Sequence, residues 1–505
     1  MKALVYMVLL ALISGCDNTN NTNNTNNNTN DSKQTTTTAS AEHDYAQATA
    51  SENRPGGDTT VSIRPFASFE QPAANLPQAL RPDFHAGKAL ANQPWIKAPT
   101  VTRMRDGLGP LYNSRTCLMC HIKGGKGFVP DNGDIPMLSS LVRLSIPGDA
   151  SKHEGVVPHP LYGDQIQGQS TSLAHQLRHS QKDNKQLRHD VAPEAYVFID
   201  WQESDFHYPD GHRVSLRKPQ LRFENLGYGP LGDNILTSLR VAPSLHGMGL
   251  LELITESDIL ANADEHDQDR DGISGRVNRV WDPEHQTTVV GRFGWKSNKP
   301  SIKVQAAAAF NGDVGITTSL FPDQPCSPQQ QTCLQQENGN DANGVELADE
   351  LLQLVVNFNR NLAPVERRNI NDPTVIKGRE YFYQAGCHAC HHPNYITRNN
   401  DDFPHLSEQS IWPYSDLLLH DMGPDLADQR PDFLATGSEW RTAPLWGVGI
   451  QQQVNGSNAL LHDGRARTVE EAILWHGGEA SAARGRFIRY DRARREALLA
   501  FVNSL

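Results

Sequence analysis

The sequence predicts a mainly α-helical protein of two helical domains with long loop-rich insertions, set behind a disordered N-terminal tether. Three observations predict it: apolar residues at helical spacing in the last third of the chain, two widely separated cysteine-histidine motifs, and a low-complexity start. From Val345 to Ala363 the apolar residues Leu347, Leu351, Leu354, Val355, Phe358 and Leu362 fall on one helical face. Asp372-Pro373 breaks that run, and a second short helix is expected from Val375 to Ala385. Leu498, Phe501, Val502 and Leu505 mark the face of another, from Asp491 to the end.

The start of the chain reads as an address. Met1-Lys2 is followed by an apolar run from Ala3 to Ile13, too short to span a bilayer and so an export signal. Ile13-Ser14-Gly15-Cys16 fits the lipobox of bacterial lipoproteins, in which Cys16 would receive a diacylglycerol and anchor the protein to a membrane surface. An ordinary secretory signal with an incidental Cys16 is the alternative. Asp17 resembles the signal that retains lipoproteins on the inner membrane, which places the protein on its periplasmic face. The Asn-, Thr-, Ser- and Gln-rich tract that follows, to about Ser51, has too little apolar surface to offset its chain entropy. The expected divisions are a signal at 1–16, a tether at 17–60, an N-terminal domain at 61–344 and a C-terminal domain at 345–505. A formal charge of −12 without a basic cluster argues against a nucleic-acid partner.

Each of the seven cysteines can be assigned. Cys117-Leu118-Met119-Cys120-His121 and Cys387-His388-Ala389-Cys390-His391 both have the C-x-x-C-H form of covalent c-type haem attachment. Two thiols add to the porphyrin vinyl groups, and the adjoining imidazole, His121 or His391, falls beneath the iron. Both domains are therefore expected to be cytochrome c-like. A zinc site or a redox dithiol is the competing reading, and export weighs against it. Cys326 and Cys333, in a polar loop, are expected to close a local disulfide. Between the motifs, Asp267, Asp269 and Asp271 followed by Gly272 resemble the start of a calcium loop, although Asn278 stands where a regular loop has Glu. A solvated acidic turn is the alternative.

Several long stretches resemble the bacterial di-haem oxidoreductase family, also called thiol oxidoreductases, related to di-haem cytochrome c peroxidases, MauG and rubber oxygenases. They include Arg240 to Glu252, Gly291 to Lys296, Phe310 to Thr317, Tyr414 to Gly423 and Arg441 to Ala480, and the likeness runs from about Phe66 to Leu505. In the peroxidases the residue eight after the Thr that corresponds to Thr468 closes the second haem; here it is His476, which implies two imidazoles, His391 and His476, on that iron. Met422 and His420 are rival ligands, and His462 is read as a propionate or core hydrogen-bond partner. Trp295 repeats the position of a Trp between the haems, and Gln305 that of a Gln ten residues on. The family's acid falls near Gly315, where this chain departs from the pattern, and Asp313 is the nearest carboxylate. The bland readings are core packing for Trp295 and a cap for Asp313.

The resemblance implies peroxide reduction at the N-terminal haem, with Asp313 as proton acceptor and Gln305 orienting the substrate. Electrons would arrive from a small c-type cytochrome or cupredoxin through the second haem and Trp295. Two alternatives stay open: an electron carrier in which His246 or Met248 closes the first haem, and a dioxygen-using oxygenase. Thiol chemistry finds no support, because no free thiol remains after attachment and disulfide formation.

Overall fold

Helix and strand share the structure, 29% and 18% of it, so the mainly α expectation is corrected to a mixed architecture. The computed structural model describes residues 49–63, 67–172 and 191–505. Cys16, Asp17, Phe66 and the tract up to residue 48 lie outside the described residues.

Every sheet among the described residues is a two-stranded antiparallel ribbon. The longer strands lie between residues 140 and 290, with short ones at Leu111–Tyr112 and between residues 395 and 441. Tyr196–His207 pairs with Arg213–Glu224 in full register, from Tyr196↔Glu224 to His207↔Arg213. A Pro209-Asp210-Gly211 turn closes this hairpin. At its base, Val197 and Ile199 point into a core with Val142, Leu144 and Leu239. Its tip reaches a different core, where Tyr208 and Leu216 pack with Phe487 and Leu498. The Tyr208 hydroxyl donates to Glu470 (2.9 Å), and Arg495 donates to Asp210 (2.6 Å).

Two helix pairs flank the two motifs in the same manner. Arg81–Asn92, ahead of the first motif, packs on Asp349–Arg360. Pro373–Gln384, ahead of the second, packs on Arg492–Val502. At each crossing a glycine admits the partner's backbone: Gly87 against the Leu354 carbonyl and Gly378 against the Ala497 carbonyl, where any Cβ would collide. Aromatic rings lock both, Phe84 to Phe358 and Phe382 to Phe501, each at 5.3 Å between centroids. Phe358 and Phe501 are fully buried, worth about 1.5–3 kcal/mol each. Asp372 and Asp491 cap their helices by accepting from Thr374 N (2.7 Å) and Arg494 N (2.9 Å). Asp372-Pro373 thus starts a helix as well as ending the preceding run.

Contacts cross two of the expected boundaries. The Val345 to Ala363 stripe does form a helix, Asp349–Arg360, but its partner is Arg81–Asn92, so a division at 344/345 would separate a packed pair. The tether ends earlier than residue 60: Glu52 is fully buried, paired with Arg367 and with Arg379 (3.3 Å), and accepts from the Tyr414 hydroxyl. Burying a carboxylate is tolerable there because two guanidiniums meet it. The main core, with Leu245, Phe293, Phe310, Phe358, Leu418 and Trp446, draws on both sides of that division.

Candidate functional site

Cys117–Cys120 forms one helical turn, capped by Thr116 Oγ1 accepting from Met119 N (3.0 Å). Next in the chain, His121 Nδ1 donates to the Pro243 carbonyl (2.7 Å). A carbonyl can only accept, so Nδ1 carries the proton and Nε2 keeps a free lone pair. Burial lowers the imidazole's pKa to about 4, leaving it neutral near pH 7.

A cavity of about 250 Å³ opens beside this motif. One wall is a single helical face, on which Ile302, Gln305, Ala306, Ala309, Phe310 and Asp313 recur in steps of three and one. The alanines keep that wall shallow. At Phe310 the helix widens into a π turn, Phe310–Val314, a distortion often found at functional sites. It re-aims Asp313, whose Oδ1 accepts from Gln165 Nε2 (2.8 Å) and whose carbonyl accepts from Asn113 N (2.8 Å), ahead of the motif. Burial raises the Asp313 pKa, with Arg143 opposing. Gly315, near which the resemblance places an acid, ends the π turn at φ 74° against Gly109 and the Leu111 carbonyl, which leaves no room for a carboxylate.

Trp295 faces the same cavity. Its Nε1 donates to the Val241 carbonyl (2.7 Å), its carbonyl accepts from Arg441 N (2.9 Å), and the Lys126 ammonium lies 5.0 Å from its ring centroid. Trp295, Gln305 and Asp313 are thus brought together with Cys117, Cys120 and His121.

At the second motif His391 Nδ1 donates to the Tyr414 carbonyl (2.9 Å). His476, at the end of Val469–Trp475, repeats the pattern, donating from Nδ1 to the Ala472 carbonyl (2.7 Å). Burial first, and the nearby His476 charge among lesser causes, bring His391 to about 4; burial also lowers His476. Each of the two imidazoles thus has its Nδ1 proton on a carbonyl and its Nε2 lone pair free, and they are near enough to interact electrostatically.

His420 and His462 are otherwise engaged. His420 has both ring nitrogens on carboxylates, Nε2 on Asp416 (2.8 Å) and Nδ1 on Glu479 (2.7 Å), which hold it protonated against the opposing effect of burial. His462 stacks on Trp440 at 3.6 Å, with Asp463 at 3.6 Å from its Nε2. Met422 N donates to the Ser438 carbonyl (3.0 Å), a backbone bond that leaves the thioether uncommitted. His246 uses Nε2 on the Trp446 carbonyl (3.1 Å), which leaves its buried Nδ1 lone pair without a hydrogen-bond partner among the described residues, and it belongs to the 243–246 segment that seats His121. Met248 lines the cavity from the main core.

All four motif thiols are free. Burial pushes Cys117, Cys120 and Cys387 up to about 12 and raises Cys390, with Asp313 adding to the first two. A zinc centre or a redox dithiol needs thiolates, which this setting disfavours. Cys326 and Cys333 are disulfide-bonded.

The acidic loop differs from expectation. Asp264, Asp267 and Asp269 converge, whereas Asp271 turns away to accept from Ile273 N (2.8 Å). Asp264 and Asp267 already accept from Gln268 N (2.7 Å) and Gly272 N (3.2 Å). Asn278 is fully buried and bridges the Lys296 and Asp432 carbonyls, so it plays no part in the loop.

Two C-x-x-C-H motifs, each with a half-buried neutral imidazole, define a protein with two haem centres. The chain belongs to the family described as "Di-haem oxidoreductase, putative peroxidase", which matches residues 45–505. Neither a curated protein nor a solved structure matches the chain.

The residues present fit haem. Free thiols, an Nε2 lone pair on each motif histidine and an adjoining cavity are the donor set and space it requires. Sequence reasoning missed Gln165, which orients Asp313, and the cations Lys126, Arg143, Arg240, Lys299 and Arg441 that line the cavity. Arg240 and Arg441 open two of the stretches that carry the family likeness; the others leave no local signal.

Proposed function

We propose that this protein is a c-type di-haem peroxidase in which peroxide is reduced at the N-terminal centre and electrons enter through a C-terminal centre closed by His391 and His476. The observation that carries the reading is the inequality of the two sites. The first motif faces a cavity containing a carboxylate and an amide, whereas at the second His391 and His476 each hold Nδ1 on a carbonyl, keep Nε2 free and interact electrostatically. Haem attached through Cys117, Cys120 and His121 would supply an iron able to take a small oxygen ligand and to exchange electrons.

The chain's own residues would handle the protons. Conversion of one peroxide to two waters consumes two electrons and two protons. Asp313, held at Oδ1 by Gln165 and raised by burial, is suited to take a proton from the bound substrate and return it to the leaving oxygen. Gln305, two helical turns earlier on the same face, would orient the substrate. Trp295, tied to Val241 and Arg441, would couple the centres. The donor would be a small c-type cytochrome or cupredoxin, met at the periplasmic face of the inner membrane where the Cys16 lipid would hold the protein. Calcium in the acidic loop would be structural.

The test is steady-state peroxide reduction by the holoprotein with a reduced donor, together with electron paramagnetic resonance of the oxidised form. Turnover with one high-spin and one low-spin centre is expected. Two low-spin centres and no peroxide consumption would refute the proposal.

A further inference from the structure

One rim of the first cavity has a charge surplus that neither Asp313 nor the family pattern explains. Arg143 from Ser140–Ser145 and Arg240 from Leu236–Val241 line the cavity from paired strands, and Lys299 joins them from the loop after Trp295. Behind them stands Arg430. These four cations face two carboxylates: Asp164 pairs with Arg143 (2.7 Å), and Asp432 accepts from Arg240 (3.1 Å) and Arg430 (3.3 Å). Counting Asp313, which Arg143 also faces, the cations still outnumber the acids.

The surplus is buried and aimed. Arg240 is 6% exposed, its Nη2 has no partner among the described residues, and its other nitrogens are on Ser238 (3.0 Å) and Asp432. Lys299 is half-buried and forms no ion pair among the described residues. Leaving an unpaired guanidinium nitrogen in such a place is costly unless an anion meets it, more so than for a neutral donor. Asp432 cannot serve, since Asn298 also occupies its Oδ2 (3.1 Å). The space in front of Arg240 and Lys299 is the cavity itself.

We infer that Arg143, Arg240 and Lys299 form a carboxylate-binding rim, and that the carboxylates it takes are the two propionates of the haem attached at Cys117 and Cys120. The assignment rests on the reading of this cavity as the first haem centre. Porphyrin carries its two carboxylates at one edge, opposite in character to its apolar vinyl edge. The cavity matches that polarity, cationic at this rim and lined by Ala306, Ala309 and Phe310 along the helix. Cations beside the propionates would favour the reduced, less positive iron over the oxidised one, so the rim raises the centre's potential to the extent that the propionates leave it uncompensated.

The experiment compares the holoprotein with its Lys299→Gln and Arg240→Gln variants, each first checked by mass for two porphyrins. The readouts are the propionate bending bands in resonance Raman and the midpoint potential of each haem. Lys299→Gln breaks no ion pair among the described residues and serves if Arg240→Gln fails to fold. Expected in Lys299→Gln are shifted propionate bands and an altered potential at one haem, with the other unchanged. Unaltered bands and potentials in a variant with both porphyrins attached would overturn the assignment, whereas absence of porphyrin would instead overturn the haem reading. Succinate added to the wild-type holoprotein tests for a free dicarboxylate. A saturable change in the first haem's spectrum, lost in Lys299→Gln, would assign the rim to an external anion and also overturn the propionate reading; no response is expected.

Discussion

Replacing Asp313 with Asn isolates its proton chemistry from its packing. Asn keeps an oxygen to accept from Gln165 Nε2, now 2.8 Å from Oδ1, and keeps the length of the side chain on the π turn. What it cannot do is take a proton. General acid–base groups contribute about 10²- to 10⁴-fold, so kcat/KM for peroxide should fall by that factor, or about 2.7–5.4 kcal/mol of barrier at 1.36 kcal/mol per decade. The assay is steady-state peroxide reduction by protein carrying two haems, followed across the acid to neutral range. Because burial raises the Asp313 pKa, the wild-type rate should decline on acidification before an ordinary carboxylate would protonate, and the variant should lack that limb. Stability gives an independent sign. A carboxyl whose pKa rises on folding contributes stability that is fully present below the unfolded value and lost as pH rises through the folded one. Asp313→Asn should therefore gain on the wild type toward neutral pH and lose that advantage in acid. A variant with the wild-type rate and the wild-type acid limb would refute the assignment of Asp313.

Three further outcomes are expected. His476→Ala should turn the second centre high-spin in electron paramagnetic resonance while His391 still holds its iron; an unchanged low-spin signal would point to another ligand. Trp295→Phe removes the bond to Val241 at a cost of about 1 kcal/mol and should slow re-reduction of the first centre in single-turnover mixing without altering either haem spectrum. Glu52→Gln leaves Arg367 and Arg379 facing a neutral amide in the interior, and chemical denaturation should show a loss of about 3–5 kcal/mol; a negligible loss would mean the buried pair is dispensable.

The cysteine-histidine motifs were legible because haem attachment fixes residue type and spacing within five positions. The helices beside the second motif were legible for a related reason, since one face of each is apolar at steps of three and four. Tyr196–Glu224 shows what that approach misses. Its alternation is visible in Val197 and Ile199, and Pro209-Asp210-Gly211 is a turn signal, but the hairpin gains its stability by bridging two cores far apart in sequence. The pairing of Arg81–Asn92 with Asp349–Arg360 is similarly remote, and nothing local to either helix names its partner. Trp295, Gln305 and Asp313 could be placed only through family likeness; the structure adds Gln165 and the cations, whose meaning depends on neighbours 100 residues or more away. Loop spacing alone does not say which carboxylates backbone amides take, as Ile273 N takes that of Asp271.

Carbon monoxide binding to the fully reduced protein, counted per chain against porphyrin content by mass, tests the inequality of the two centres most directly. One ligand for two thioether-bound porphyrins is the predicted stoichiometry. Binding at neither iron, or at both, would contradict the account.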